Sequence, residues 1–453
     1  MPIESFDDDA RRFAHEVVDL VFDHVQNIEQ RPVVDWTPFE ELRDLVRLGR
    51  APAASRADLV RLVAEKSIQL HHPSYIGHQV CPPFAPSVIA DFVISALNNS
   101  TAVWEMSPIG TVIEREVIRW LADLAGYPPE SEGTAVSGGS AANLTALLAA
   151  RAWWLARGGE RPVIVTSADA HYSVARAAAI MGIEDVEKIE TDDEHRMDVD
   201  ELHAVLRHHG ENVLAVVATA GSTATGAFDD LVAIRDIARD VWLHVDAAHG
   251  ASVLLSERLA PLVKGIDRAD SFAWDPHKML WMPLSHGAVF VRDGVWLRRA
   301  FQADAPYLFH AEREQENIGA MTIQCSKRAD AIKLWLTLKM IGREGFAAAL
   351  EKVTDVTRYA YERVRESDGL EAMHEPLFNI FCFRLRGSDE LNHRVREELI
   401  RSGEAWITST MLKGRRVLRI TVINPATEKR HIDAMLEAVR RIAAERRRES
   451  SEK

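Results

Sequence analysis

Ala269-Asp270-Ser271-Phe272-Ala273-Trp274-Asp275-Pro276-His277-Lys278 is the stretch on which the reading of this chain turns. A lysine directly after a histidine, just past a short apolar run, offers a primary amine. Upstream lies His244-Val245-Asp246-Ala247-Ala248-His249, where one carboxylate ends another apolar run. A charge within an apolar strand is costly unless something pairs with it. An amine able to form an imine and a carboxylate able to keep a pyridine nitrogen protonated are what pyridoxal phosphate asks of a protein. Each residue also has an ordinary role open to it: Asp246 as a cap for the next helix, Lys278 as a surface lysine. The place of Lys278 between Pro276-His277 and Met279-Leu280-Trp281 argues against the second.

Working outward, Val163-Ile164-Val165-Thr166, Val213 to Ala218, Trp242 to Val245 and Gly287 to Val291 read as strands buried on both faces. Such runs, separated by helical patterns from about 85 to 300, predict a mainly parallel α/β sheet flanked by helices. Residues 5–70 read as mainly helical with a break near Arg31 to Pro38. A long helix is expected from about Lys327 to Met340, stopped near Gly342. From about Glu351 the pattern turns to helix, strands (Ile380 to Leu385, Val417 to Val422) and a final helix, a small α+β unit.

At 453 residues the chain calls for two or three domains, and its 47% hydrophobic and 27% charged content is that of a globular protein. No run nears the roughly 18 apolar residues of a membrane span, and the acidic N-terminus does not resemble a secretory signal, so a cytoplasmic protein with no membrane partner is expected. A net charge of −14 disfavours nucleic acid as a partner. The basic run Arg440 to Arg448 reads as the solvated end of a helix, where cations suit the dipole. Cys81, Cys325 and Cys382 are too scattered for a disulfide framework or zinc site, and no metal is expected. Cys81 and Cys325 are read as buried inert thiols rather than pocket residues.

Further features suit the same cofactor. Ser137-Gly138-Gly139-Ser140-Ala141-Ala142-Asn143 opens a helical run, so its amides and hydroxyl could hold a phosphate, or could form an ordinary capped turn. His171, in Asp169-Ala170-His171, follows a strand; it could stack on a ring or be a structural histidine. Thr219 ends a strand, where open α/β sheets place ligands.

The chain resembles the group II pyridoxal-phosphate-dependent amino-acid decarboxylases, the family of the glutamate, cysteine-sulfinate, diaminobutyrate and aromatic-amino-acid enzymes. The matching motifs are His72-Pro73, Ser107-Pro108, Ser137-Gly138-Gly139-Ser140, Ala170-His171, Ala218-Thr219, His244 to Ala248, Pro276-His277-Lys278 and Asn424-Pro425-Ala426-Thr427. They span about residues 70–430 in family order. The resemblance implies fold type I: a seven-stranded, mainly parallel sheet in a large cofactor-binding domain (85–345). An N-terminal helical segment (1–84) would pack in a dimer, and a small α+β domain (346–453) would complete the chain. A homodimer with shared active sites is implied. Lys278 would carry the cofactor and Asp246 would meet its ring nitrogen. His171 would stack on the ring, Ala248 would pack on the other face, and Thr219 would sit beside it. Ser140, Ala141 and His277 would hold the phosphate over Gly139. Arg419 would take the substrate carboxylate, with Tyr75, His78 and Trp104 as further substrate contacts. The implied reaction removes the α-carboxylate of an L-amino acid as carbon dioxide and leaves an amine.

Two departures from the family pattern stand out. The family's loop tyrosine, which would protonate Cα, has no match in His310 to Met321. That leaves His310, Glu312 or His277 as the acid, and leaves open an aldehyde-forming enzyme. An aminotransferase, a carbon–sulfur lyase or a non-catalytic protein that binds pyridoxal phosphate would also suit the lysine and the carboxylate. Asp275 stands where many members have asparagine; a carboxylate beside a phosphate is unfavourable, so its side chain is expected to point elsewhere. The Tyr307-Leu308-Phe309 and Gln324-Cys325 motifs look closer to the glutamate, cysteine-sulfinate and diaminobutyrate enzymes than to the aromatic ones.

Overall fold

The computed structural model describes residues 6–48, 55–302 and 317–451. They form two compact units, one of residues 79–302, 317–358 and 374–381, the other of residues 6–48, 55–78, 359–373 and 382–451.

The larger unit is built on seven strands: β1 (Glu132–Val136), β2 (Val163–Ser167), β3 (Asp185–Ile189), β4 (Val213–Thr219), β5 (Trp242–Asp246), β6 (Ser271–Trp274) and β7 (Gly287–Val291). Their order is β1-β7-β6-β5-β4-β2-β3. Strand β7 runs antiparallel to both neighbours, and the pairs β2–β3, β2–β4, β4–β5 and β5–β6 are parallel. Five strands, β2 and β4 to β7, are buried at every residue. That follows from helices covering both faces and accounts for their unbroken apolar sequences. The edge strand β3, Asp-Val-Glu-Lys-Ile, is mostly uncovered and lacks that signature, so its sequence did not announce it.

The helix Gly139–Ala156 lies against the sheet. Ala142, Ala146, Ala149 and Ala150 on it are fully buried, and small side chains there let the backbone come close to the strands. Leu147 and Trp154 pack with Ile164, Leu214 and Trp242. Each large side chain buried in this way is worth about 1.5–3 kcal/mol.

A buried ion pair braces the same unit. Lys327 Nζ lies 2.6 Å from both carboxylate oxygens of Glu114, which also accepts from Thr134 Oγ1 and the Ala135 N–H of β1. Lys327 is thereby held outside the helix expected to begin there. Helix starts at Ala331 and is broken at Gly342, whose φ of +67° is left-handed.

The smaller unit carries a sheet of β8 (Leu370–Ala372), β9 (Ile380–Leu385), β10 (Thr408–Leu412) and β11 (Arg415–Thr421), in the order β10-β11-β9-β8. Strands β10 and β11 form a hairpin through Lys413-Gly414, both at positive φ, as a two-residue turn of that kind requires. Helices Asp8–Gln26, Asp389–Ser402 and Lys429–Ser451 belong to this unit. No helix of the described residues is long and apolar enough to cross a membrane.

Candidate active site

Parallel strands deliver their C-terminal ends to one edge of the sheet, and a cleft of about 340 Å³ opens there in the larger unit. Strand β1 leads into Ser137-Gly138-Gly139, β2 into the segment bearing His171, and β4 ends on Thr219. Strand β5 ends on Asp246 just before Ala248. Strand β6 leads through Asp275 to the short helix Pro276–Met279 with His277 and Lys278. All nine residues proposed from sequence for the cofactor line this cleft: Gly139, Ser140, Ala141, His171, Thr219, Asp246, Ala248, His277 and Lys278.

The glycine turn is tightly packed. Gly138 has φ +154°, and a Cβ on it would lie 2.9 Å from His277 Cε1. A Cβ on Gly139 would lie 2.9 Å from Ala248 Cβ. Only glycine lets the chain pass here and still start a helix of 18 residues whose positive end faces the cleft.

Lys278 Nζ lies 3.2 Å from Asp275 Oδ2, and His277 Nε2 lies 3.5 Å from the same oxygen. The expectation that Asp275 points elsewhere is therefore not met. Its carboxylate is buried and lines the cleft, because the lysine beside it compensates a charge that would otherwise be costly. His277 Nδ1 accepts from the His286 N–H at 3.1 Å. Burial lowers the His277 pKa, so the neutral ring carries its proton on Nε2.

Asp246 accepts from Asn143 Nδ2 at 2.8 Å and from the Ala248 N–H at 3.2 Å. Thr219 Oγ1 is buried with no hydrogen-bond partner among the described residues, as is Asp275 Oδ1. Burial also lowers the His171 pKa, against the opposing pull of Asp246.

None of the four substrate candidates, Tyr75, His78, Trp104 and Arg419, lines this cleft. Tyr75 and Arg419 are buried in the smaller unit, where Arg419 Nε donates to Thr408 Oγ1 at 3.0 Å. His78 belongs to that unit and is exposed. Trp104, in the larger unit, binds Asn317 Oδ1 through its backbone N–H and does not line the cleft. His310, Glu312 and Tyr307 lie outside the described residues. Cys81 is buried, its thiol pushed above the usual range and donating to the His277 carbonyl at 3.1 Å. Cys325 is exposed, against expectation, because its segment lies on the surface.

Sequence reasoning missed Asn143, whose role shows only through partners far along the chain, and His249, which lines the cleft with Nε2 at 2.7 Å from Asn379 Oδ1. For His249 a signal existed: it follows Asp246 by three residues at the same strand end.

The donor set fits pyridoxal phosphate: an amine for the aldehyde, a carboxylate for the pyridine nitrogen, an unsatisfied hydroxyl for a ring substituent, and a glycine turn for the phosphate. Such a cleft on a seven-stranded, mainly parallel sheet defines a fold type I pyridoxal-phosphate enzyme. Residues 60–386 match the Pyridoxal-dependent decarboxylase conserved domain, and the chain belongs to that family. It is 34% identical to the L-2,4-diaminobutyrate decarboxylase of Rhizobium meliloti (strain 1021), over 95% of this chain and 91% of that protein. It is 31% identical to the aromatic-L-amino-acid decarboxylase of Bacillus atrophaeus, over 97% and 96%. The crystal structure of mouse CSAD matches with a TM-score of 0.88 at 27% identity, covering 96% of this chain and 99% of that one. The protein is a carboxy-lyase that uses pyridoxal phosphate.

Proposed function

We propose that the substrate is an L-amino acid, that it loses its α-carboxylate as carbon dioxide, and that the cleft around Lys278 is where this happens. One observation carries the proposal: Lys278 and Asp246 line a single cleft with the unsatisfied hydroxyl of Thr219. Pyridoxal phosphate, when bound, supplies an electron sink for the pair released from the Cα–carboxylate bond. The protein's part is to hold and to orient. Lys278 Nζ would hold the cofactor covalently. Asp246, fixed by Asn143 and the Ala248 N–H, would pair with the ring nitrogen. Ser140, Ala141 and His277 would hold the phosphate, with His277 donating from Nε2. Ala248 and His171 would pack against the ring, and Thr219 Oγ1 would bond a polar ring substituent.

A homodimer is proposed from the apolar residues left exposed along the helix Ala85–Leu97, among them Phe92 at 65% and Leu97 at 63%; light scattering tests it directly. The missing tyrosine in 310–321 favours one other reading, an aldehyde-forming enzyme.

The test is an absorbance spectrum of wild type and Lys278→Ala, each loaded with cofactor and then freed of unbound cofactor by gel filtration, followed by product analysis on a panel of L-amino acids. The proposal expects a visible band only in wild type, and carbon dioxide and amine in equal amounts. A band that survives the substitution overturns the site. Aldehyde with ammonia and peroxide in place of amine overturns the reaction.

A further inference from the structure

We infer that Asn143 is a positioning residue whose amide joins Asp246 and His171 in one hydrogen-bond network and thereby places the His171 proton on Nε2. The inference rests on Asp246 and His171 belonging to the cofactor cleft.

The Asp246 carboxylate only accepts, so the Asn143 group 2.8 Å from it must be the NH2. The Asn143 group 2.9 Å from His244 Nε2 is then Oδ1, which only accepts, so Nε2 bears the His244 proton. Burial holds His244 neutral, with its pKa pulled down to about 4, so its Nδ1 accepts from Ser271 Oγ at 2.9 Å. Ser271 Oγ in turn receives the Trp242 indole N–H at 2.8 Å. The second Asn143 N–H goes to Ser173 Oγ at 2.9 Å. The Ser173 backbone N–H points at His171 Nδ1 at 3.3 Å, so that nitrogen accepts, and Ser173 Oγ donates to it at 2.8 Å. With Nδ1 accepting and the ring neutral through burial, His171 bears its proton on Nε2. Asn143, His244, Ser271 and Ser173 are all buried, so water does not compete for these bonds.

Asn143 sits one helical turn into the helix that the glycine turn begins. The residues that shape the phosphate end of the cleft and those that set the ring-nitrogen end are thus joined through one side chain. A purely structural asparagine would affect stability alone. A positioning one affects cofactor affinity and the proton on His171.

Neutron crystallography of the deuterated wild-type holoenzyme reads the protons without any substitution. Deuterium on Nε2 of both His171 and His244 is expected, and deuterium on Nδ1 of His171 overturns the inference. Asn143→Asp removes both N–H donors and sets a second carboxylate against Asp246. Titration of the apo-protein with pyridoxal phosphate should then give a dissociation constant raised about tenfold or more, the loss of one charge-assisted hydrogen bond. Ser173→Ala keeps the Asn143–Asp246 bond and should stay within about threefold of wild type. An Asn143→Asp affinity within about twofold of wild type, in protein that melts cooperatively, overturns the inference. Should that variant fail to fold, the neutron result decides. A visible band that survives Lys278→Ala would instead overturn the site assignment, so the two failures are distinct.

Discussion

Lys278 Nζ and Asp275 Oδ2 stand 3.2 Å apart at the mouth of a short helix, with Asp275 buried and Lys278 partly exposed. This places a negative charge inside the cleft proposed to bind a phosphorylated, anionic cofactor. At an effective dielectric near 20, unit charges several ångströms apart still interact by a few kcal/mol before screening. Asp275→Asn is therefore expected to tighten pyridoxal phosphate binding, with the dissociation constant falling about threefold to tenfold. Equilibrium titration of the apo-protein measures it, and weaker binding would count against a repulsive role for this carboxylate.

Asp246→Asn keeps the shape of the side chain but removes its charge. The ring should still be held by Lys278 and the glycine turn, so the visible band remains. Turnover should fall about 10²–10³-fold, the usual cost of losing one preorganised electrostatic contact. Measuring bound cofactor and kcat on the same sample separates the two effects; parallel loss of both would make Asp246 a binding residue only.

The Glu114–Lys327 pair tests the scaffold rather than the chemistry. Both side chains are almost wholly buried, and Glu114 also receives Thr101 Oγ1 at 3.2 Å. Lys327→Met leaves that carboxylate buried without its cation, which should cost about 3–5 kcal/mol in urea unfolding. Adding Glu114→Gln should recover part of the loss, because the orphaned charge goes with it. A double variant weaker than the single one would speak against this account.

Acid should destabilise the larger unit. Burial holds His244 and His374 neutral, each pulled down to about 4 from an ordinary 6.5. Their folded values are depressed, so this stability is fully present above pH 6.5. It is lost as pH falls from 6.5 towards 4, where the unfolded chain takes up protons that the folded chain refuses. Each contributes on the order of 3 kcal/mol over that window. Asp229 acts the other way: burial raises it to about 6, so the folded chain binds its proton first and gains stability between pH 6 and 4. Two histidines outweigh one aspartate, and urea midpoints should drop between pH 6.5 and 4.5. A flat profile would contradict the balance, and His374→Phe should reduce the slope.

Some elements were readable because their physics is local. Strands β2, β4, β5 and β7 are apolar runs since both faces are covered. Strand β3 was not, because its side chains meet solvent and carry no pattern. Lys327 shows the same limit from the other side: its neighbours favour helix, but a carboxylate far along the chain claims it.

The sequence by itself determined the kind of cofactor and which lysine, carboxylate and glycines were candidates to hold it, because those depend on residue type at strand ends. The tertiary structure alone decided where Asp275 faces, that Asn143 joins Asp246 to His171, and which nitrogen of His171, His244 and His277 holds its proton. The physical reason is that a proton's position is set by the partner across a hydrogen bond. Here Asn143 and Asp246 are 103 residues apart, and His249 and Asn379 are 130 apart.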